Sequence, residues 1–332
     1  MTEEEFPVGA ADEGLRLDRF LAIRIPDVSR TRLQRWLEEG RVKIGRIAVK
    51  PGLALKPGWI VRVTRPDPQV SPLEAQDLAL RIVHEDEEIL VIDKPAGLTV
   101  HPGAGRRAGT LANGLLHLHP DRDWPGAPER PGIVHRLDRL TSGLLVVACE
   151  PRAYLELRRQ IAAREVARRY LALAWGTPSA AAGTIDAAIG RDPRERKRMA
   201  VAARGGRGAR THYRVLRSLG ALSLLEVRLE TGRTHQIRVH LAHIGFPVFG
   251  DAVYGGGRAF LSRLSPRDRP AWTARLRRLN RQALHAYHLS LRHPRDGARW
   301  VFESPLPAEI DGLLRELAGG GDGTDGMERR TE

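Results

Sequence analysis

The sequence predicts an α+β protein in which a small N-terminal domain precedes a larger domain of mixed strands and helices. Strand-like and helix-like patterns alternate from about residue 78, and a proline-rich stretch, "RPDPQVSPLEAQD", separates them from a compact basic segment. The length of 332 residues, 42% of them hydrophobic, suits one large and one small domain. The predicted divisions are a flexible N-terminus (1–14), a small domain (15–65), a linker (66–77), a large domain (78–318) and a disordered tail (319–332).

The N-terminal stretch "MTEEEFPVGAADEG" is acidic and has no apolar core, so it does not have the pattern of a secretory signal. No apolar run approaches the roughly 18 residues that a membrane span needs. Cys149 is the single cysteine, which excludes an internal disulfide and suits a reducing compartment. We therefore expect a cytoplasmic protein that does not cross a membrane.

The chain is strongly basic. It has 54 Lys and Arg against 40 Asp and Glu, a formal net charge of +14. Such a charge favours an anionic partner, with nucleic acid as the first interpretation and an anionic membrane surface as the competing one. Most of the excess is arginine, which pairs with phosphate and stacks on bases, although genome base composition also raises arginine content.

The small domain combines two predicted helices with a local concentration of positive charge. Leu17, Phe20 and Leu21 have helical spacing, and a second helix runs from Ser29 as N-cap to Gly40 as the stop. The basic residues on the far face of the second helix and in the turn that follows it are Arg32, Arg35, Arg41 and Lys43. They form either a nucleic-acid-binding surface or an ordinary solvated face.

The large domain begins with strand-like segments. The apolar runs "EEILVIDKP", "SGLLVVA", "RRYLALAWG" and "LSLLEVRLE" predict strands, whereas residues 151–166 show helical spacing. The tail "GGGDGTDGMERRTE" is glycine-rich and polar, which predicts disorder.

Metal and cofactor sites find little support in the sequence. "HLHPDRD" loosely matches half of a metallohydrolase pattern, and "HQIRVHLAH" has no acidic residue at close range and carries Arg238, which would repel a cation. "HPGAGRRAGT" is neither a P-loop nor a dinucleotide fingerprint. We expect no metal and no cofactor, with a metal-dependent hydrolase kept as an alternative.

The stretch "GIVHRLDRLTSGLLVVA" departs most from an ordinary strand. His135, Arg136 and Asp138 stand directly before a buried apolar run, where charges are unfavourable unless they are used. Asp138 also precedes turn-forming residues, so it either caps a turn or carries chemistry.

A second stretch, "LETGRTHQIRVH", places Arg233 and Arg238 near apolar strands. A partly buried cation requires a counter-charge, and Asp138 is a candidate for it. An arginine here could otherwise contact phosphate or lie at the surface.

These segments resemble a known family. "HRLDRLTSGLLVVA" and "GRTHQIRVHLAHIGFPVFGDAVYG" are similar to the catalytic and a later motif of the RluA family of pseudouridine synthases, and "ILVIDKPAGLTVHPG" and "RQALHA" resemble two further family segments. Residues 15–65 resemble the alpha-L RNA-binding motif domain. The resemblance implies the pseudouridine synthase fold, with a largely antiparallel sheet and flanking helices. Leu140, Ile44 and Trp59 depart from common family residues, which leaves the precise RNA target open.

The resemblance also implies a mechanism. Pseudouridine formation detaches uracil at N1, turns it and rejoins it through C5, so no cofactor or metal is required. Asp138 would be the catalytic carboxylate, Arg238 its counter-ion, and Tyr170 the aromatic residue that packs on the uracil and assists proton removal from C5. Tyr170 could otherwise anchor a strand. Arg136 would fill the position vacated by the flipped base, and His135 would support the loop.

The implied partner is RNA, most directly large-subunit ribosomal RNA or a pre-ribosomal particle, bound by a monomer. Arg136, His135 and Arg233 would contact it, together with the basic residues of the small domain. Transfer RNA as the substrate, and a non-catalytic RNA-binding ribosome-assembly protein, are the alternatives.

Overall fold

The computed structural model describes residues 2–26, 28, 30–65, 73–103, 106–193, 195, 198–202 and 205–319, and at residues 2, 30–32 and 35 it describes the backbone alone. The chain divides into two compact units, Met1–Pro72 and Leu73–Glu332. Each unit buries its own set of apolar side chains.

The N-terminal unit packs two helices against a three-stranded antiparallel sheet. Its elements are β1 (Thr2–Pro7), α1 (Leu17–Arg24), α2 (Arg30–Glu38), β2 (Val42–Lys43) and β3 (Ile60–Arg65). The strand order is β1-β3-β2. The apolar stripes predicted for the helices form the core: Leu17, Phe20 and Leu21 of α1 and Leu33, Trp36 and Leu37 of α2 are all buried.

The prediction that residues 1–14 are flexible is wrong for the described part of that stretch. β1 pairs along the whole length of β3, from Thr2 opposite Arg65 to Pro7 opposite Ile60. Glu5 pairs with Arg62 at 2.7 Å, so the acidic run faces basic partners across the strand pair. A short 3₁₀ helix, Ala10–Asp12, follows. The acidic composition gave no signal for this edge strand, whose basic partners lie about 60 residues further along the chain.

The larger unit is built on a nine-stranded sheet. Its first half contains β4 (Ile82–Glu85), β5 (Ile89–Lys94), α3 (Leu111–Leu118), β6 (Ser142–Ala148), α4 (Pro151–Ala162), β7 (Ala167–Trp175) and β8 (Ala182–Asp186). The second half contains β9 (Ile189–Arg191), β10 (Met199–Val201), β11 (Arg210–Leu219), β12 (Leu222–Leu229), α5 (Gln236–His243), α6 (Arg269–Leu279), β13 (Leu284–Arg292), β14 (Arg299–Glu303) and α7 (Ala308–Gly319).

The sheet confirms the predicted α+β class. Its order is β4-β5-β6-β13-β7-β12-β11-β8, with β14 paired to β13, while β9 and β10 form a separate hairpin. Every neighbouring pair is antiparallel except β6 and β13, which run parallel. The four apolar runs singled out in the sequence are β5, β6, β7 and β12.

Helices cover both faces of the sheet at β6, where every residue is buried. Leu145 and Val147 pack with Leu111 of α3, because alternate residues of a strand point to opposite faces. Leu144 and Val146 pack on the other face with Leu157 of α4. A charged residue directly before such a strand is therefore held close to a rigid core.

The start of β6 requires glycine. Gly143 has φ +112°, and a Cβ there would lie 2.2 Å from the carbonyl oxygen of Ala286 on β13. This close approach seats the end of the Asp138 loop against β13.

The predicted linker is shorter than expected at its C-terminal side. Asn113 of α3 donates from Nδ2 to the Glu74 carbonyl at 2.8 Å, and the Gln76 amide donates to the Asn113 carbonyl at 3.1 Å. Residues 73–77 therefore belong to the larger unit, while residues 66–72 lie outside the described residues. So do residues 320–332 of the predicted tail, and Gly319 ends α7. In the described ranges no helix has the length and apolarity of a membrane span.

Candidate active site

Lys94 anchors the loop that carries Asp138. It ends β5, is fully buried, and donates from Nζ to the carbonyls of Pro95 at 2.8 Å, Leu98 at 3.0 Å and Arg139 at 3.2 Å. Burial lowers the pKa of Lys94 to about 7, and the negative charge of Asp138 opposes that shift. The ammonium group thus ties two loops together directly beside the acid.

His135 attaches the other end of the same loop to the sheet. Its Nε2 accepts a hydrogen bond from the Val146 amide at 3.1 Å, which assigns the proton of the neutral ring to Nδ1. Burial lowers the pKa of His135 to about 3, so the ring is neutral at physiological pH. The predicted role of His135 in supporting the loop agrees with this contact, whereas its RNA contact stays a prediction.

Asp138 contacts Arg238, as the sequence suggested. Arg238 projects from α5 and donates from Nη1 to Asp138 Oδ2 at 3.0 Å. Its remaining donors bind Asp251, with Nε 2.6 Å from Oδ2 and Nη2 2.9 Å from Oδ1. Asp251 also accepts the amides of Val253 and Tyr254. The side chain of Asp138 is 17% exposed, against 0% for Asp251, and of the two only Asp138 lines the groove described below.

An aromatic and an imidazole complete the surroundings of the acid. The Arg238 guanidinium lies 4.9 Å from the centroid of the Tyr254 ring. The Tyr254 hydroxyl accepts the Met199 amide at 3.1 Å and lies 2.8 Å from His235 Nδ1. When that hydroxyl donates to His235, the proton of the neutral imidazole is on Nε2, 3.9 Å from Asp138 Oδ1.

His235 takes up an unusual backbone conformation to reach this position. Its φ is +58°, in the left-handed region that non-glycine residues seldom occupy, and it is the N-cap of α5. Burial lowers the pKa of His235, while Asp138 opposes the shift. The strained backbone of His235 therefore lies beside Asp138, and such strain is common at functional sites.

A groove of about 490 Å³ opens over Asp138. The loop before β6, the segment from Leu229 to Arg238 and the start of β7 line it. Tyr170 of β7 is 5% exposed and contributes its ring to the wall. Burial raises the pKa of the Tyr170 phenol, which keeps it protonated. Its hydroxyl has no hydrogen-bond partner among the residues that the structure describes, so it is free for a ligand.

The groove carries more positive than negative charge. Its charged side chains are the arginines Arg130, Arg136, Arg164, Arg168, Arg233 and Arg238 and the carboxylates Asp138 and Glu230. Arg136 is exposed, with Nη1 3.4 Å from His101 Nε2, and Arg233 donates from Nε to the Gly208 carbonyl at 3.3 Å. An anionic ligand fits this balance.

The predicted RNA contacts of the small domain belong to the other unit. Arg41 pairs with Glu39 at 2.6 Å, and Lys43 is exposed on β2. The side chains of Arg32 and Arg35, and the predicted N-cap Ser29, lie outside the described residues. The RNA-binding roles of these residues therefore stay predictions.

Sequence reasoning missed several residues that build this site, namely Lys94, Arg168, His235, Asp251 and Tyr254. Lys94 ends an apolar strand, the same signal that pointed to Asp138. Asp251 and Tyr254 stand in the quoted segment "GDAVYG", but only the fold shows that they meet Arg238. Where the structure describes the chain, it brings no three His, Cys, Asp or Glu side chains into a metal-binding arrangement.

Comparisons with known proteins bear on this geometry. The family model described as RNA pseudouridylate synthase matches residues 88–243, a range that includes Asp138, Tyr170 and Arg238. The chain is 49% identical over 302 residues to an uncharacterized RNA pseudouridine synthase of Chloroflexus aurantiacus, covering 91% of this chain and 90% of that protein.

Two further relatives extend the match. The ribosomal large subunit pseudouridine synthase D of Pseudomonas aeruginosa is 46% identical over 304 residues, 92% of each chain. Among solved structures, human RNA pseudouridylate synthase domain containing 1 superposes with a TM-score of 0.52 at 26% identity, covering 79% of this chain and 100% of that one. The chain therefore belongs to the RluA family of RNA pseudouridine synthases, the isomerases that convert uridine to pseudouridine in RNA.

Proposed function

We propose that this enzyme isomerises uridines in large-subunit ribosomal RNA and that Asp138 is its catalytic carboxylate. The contact between Asp138 and Arg238 at the floor of a positively charged groove is the observation that carries the proposal. The name of the Pseudomonas aeruginosa relative, which includes the large ribosomal subunit, supports the choice of RNA.

The chemistry requires a carboxylate beneath the ribose. Asp138 either attacks C1′ as uracil leaves or prompts loss of the C2′ proton, and both routes need an ionised acid in a sheltered pocket. The Arg238 guanidinium, with Nη1 3.0 Å from Asp138 Oδ2, supplies the counter-charge that a partly buried carboxylate requires. The same guanidinium is itself held by Asp251, so its position does not depend on the substrate.

Tyr170 serves the base rather than the sugar. Its buried ring offers a flat apolar surface for the detached uracil, and its hydroxyl, which has no hydrogen-bond partner among the described residues, is available to assist proton removal from C5. The uracil only turns and rejoins, so the reaction adds no external atom and calls for no cofactor.

Residues around this centre bind the RNA. Arg136, which is exposed and lines the groove, fills the space of the uridine that leaves its stack. Arg233 contacts phosphate, and the N-terminal unit, through residues such as Lys43, holds the RNA outside the groove. We propose that the enzyme works as a cytoplasmic monomer on ribosomal RNA or a pre-ribosomal particle.

Mapping pseudouridines in total RNA tests the substrate. A deletion strain should lack one or a few pseudouridines in large-subunit RNA, and the wild-type gene should restore them while an Asp138→Asn gene should not. Loss confined to transfer RNA would move the substrate to that class. An unchanged map would contradict the proposal.

A further inference from the structure

Arg168 is a buried arginine in the wall of the groove. It is the second residue of β7, two positions before Tyr170, so both side chains point to the same face of the sheet. Arg168 is 9% exposed and lines the same groove as Asp138. Neighbouring Arg169 points to the opposite face, where it lies 3.8 Å from Glu226.

Three arginines in the described part of the chain are buried, and two of them have carboxylate partners. Arg238 binds Asp138 and Asp251, and Arg281 donates to Glu309 at 2.8 and 3.0 Å. Arg168 has no ion pair and no side-chain hydrogen bond within the described ranges, and its Nε is buried without a partner. A buried cation without a counter-charge is unfavourable, so a ligand that brings one would bind well.

The carboxylates of the groove are engaged elsewhere. Asp138 is held by Arg238, and Glu230 accepts from Arg164 at 2.9 Å and lies 2.7 Å from His212 Nε2. Neither is a partner of Arg168 in this arrangement. The counter-charge for Arg168 must therefore come from outside the described protein.

The Gly232 backbone leaves space beside the guanidinium. A Cβ at position 232 would lie 3.3 Å from Arg168 Nη1 and 3.9 Å from Nη2, so the glycine keeps the fork uncovered. Gly232 is exposed and lines the groove. The two Nη donors together match two oxygens of a phosphate group.

We propose that Arg168 binds a backbone phosphodiester of the RNA strand next to the nucleotide seated on Tyr170. The proposal rests on the proposed action on RNA and adds a residue that fixes the strand rather than the base. Asp138 then holds the sugar and Arg168 holds a phosphate of the same strand. The negative charge that neutralises Arg168 is the substrate's own.

The test compares Arg168→Gln and Arg168→Lys with a matched control, Arg169→Gln, which removes the adjacent charge on the other sheet face. Binding is measured in an Asp138→Asn background, with a stem-loop of large-subunit RNA around a mapped uridine, over a series of salt concentrations. We expect Arg168→Gln to weaken binding about tenfold or more and to reduce the salt slope by about one phosphate contact. Arg168→Lys should weaken it less, and Arg169→Gln should change neither quantity.

A set of RNAs with single neutral methylphosphonate linkages identifies the phosphate by a change in the RNA, which does not affect protein folding. One linkage next to the target should weaken binding to protein with Arg168 and have no further effect on Arg168→Gln. An unchanged salt slope, or methylphosphonate effects that add to Arg168→Gln at every position, would overturn the proposal. If the enzyme with Asp138 releases no tritium from C5-labelled uridine, the proposed function fails, whereas the binding comparison still decides the role of Arg168.

Discussion

Arg238 joins two aspartates whose surroundings differ sharply. Asp251 is completely buried and accepts two bonds from Arg238 and two from backbone amides. Asp138 accepts one bond from Arg238 and keeps 17% of its side chain exposed to the groove. One carboxylate is saturated with protein donors, while the other has spare capacity for a substrate.

This difference indicates a division of labour. Asp251 fixes the guanidinium, and the guanidinium in turn holds the Asp138 carboxylate at the groove. Asp251 and Arg238, which must stay in place, are fully paired within the protein. Asp138, which reacts, keeps part of its side chain open to the groove. Arg168 is the cationic counterpart, a buried charge that the described residues leave without a partner.

The largest effect on stability should come from Asp251. Asp251→Asn leaves a buried guanidinium with a single acidic partner, and disruption of a buried ion pair lowers the free energy of unfolding by about 3–5 kcal/mol. Asp138→Asn, next to the groove, should lower it by about 1 kcal/mol or less. Urea unfolding of both variants provides the measurement, and equal losses would remove the distinction between the two acids.

The second largest loss of stability should follow from Lys94→Met. It leaves the carbonyls of Pro95, Leu98 and Arg139 without their shared donor, which should lower the free energy of unfolding by about 2 kcal/mol. Because those carbonyls belong to the segments beside Asp138, kcat should also fall about tenfold with little change in KM. Lys56→Met, at an exposed lysine of the N-terminal unit, is the control. A stable Lys94→Met enzyme with wild-type kcat would show that Lys94 does not position Asp138.

Protonation of His135 should make the free energy of unfolding depend on pH by a similar amount. Its pKa falls to about 3 in the folded protein, against 6.5 for the free side chain, so only the unfolded chain takes up this proton between those values. The stability that neutral His135 provides is complete above pH 6.5 and is lost as the pH falls towards 3. Between pH 7 and pH 5 this should amount to about 2 kcal/mol.

His135→Gln provides the comparison, because glutamine can still accept from the Val146 amide and does not titrate. Its unfolding free energy should depend less on pH than that of the wild type by about that amount. Identical pH dependences in urea titrations would show that His135 is not held neutral.

The smallest effect should follow deletion of the N-terminal unit. Without residues 1–72, RNA affinity should fall by about 1–2 kcal/mol, because phosphate contacts outside the groove are lost. Single-turnover conversion of a short saturating substrate should change less. Equal RNA affinity with and without the unit would contradict its proposed RNA-binding role.

Much of the sheet could be predicted because its strands are continuous apolar runs. The four quoted segments became β5, β6, β7 and β12, and the oddly charged "HRLD" segment marked the site. Strand β1 could not be predicted, since "TEEEFP" carries no apolar pattern and becomes a strand only through Arg62 and Arg65 far along the chain. Local strand propensity cannot predict contacts with residues so far along the chain.

The same limit applies to the candidate site. Charge balance made Asp138 a candidate partner for Arg233 or Arg238, and the family resemblance implied Arg238. The structure brings Asp138 and Arg238 together, although they lie 100 positions apart. Asp251 was not anticipated, because an aspartate in a glycine-rich turn normally caps that turn, and Asp251 does so as well as binding Arg238. The isolation of Arg168 could not be predicted either, since the lack of a partner is visible only once every neighbour is placed.

Tritium release from RNA labelled at uridine C5 by purified Asp138→Asn protein tests the central claim most directly, with RNA affinity measured on the same preparation. We predict that release falls by at least about 10³-fold relative to the wild type, while the affinity for RNA stays within about threefold. Release at the wild-type rate by a folded, RNA-binding Asp138→Asn protein would show that the reacting carboxylate lies elsewhere.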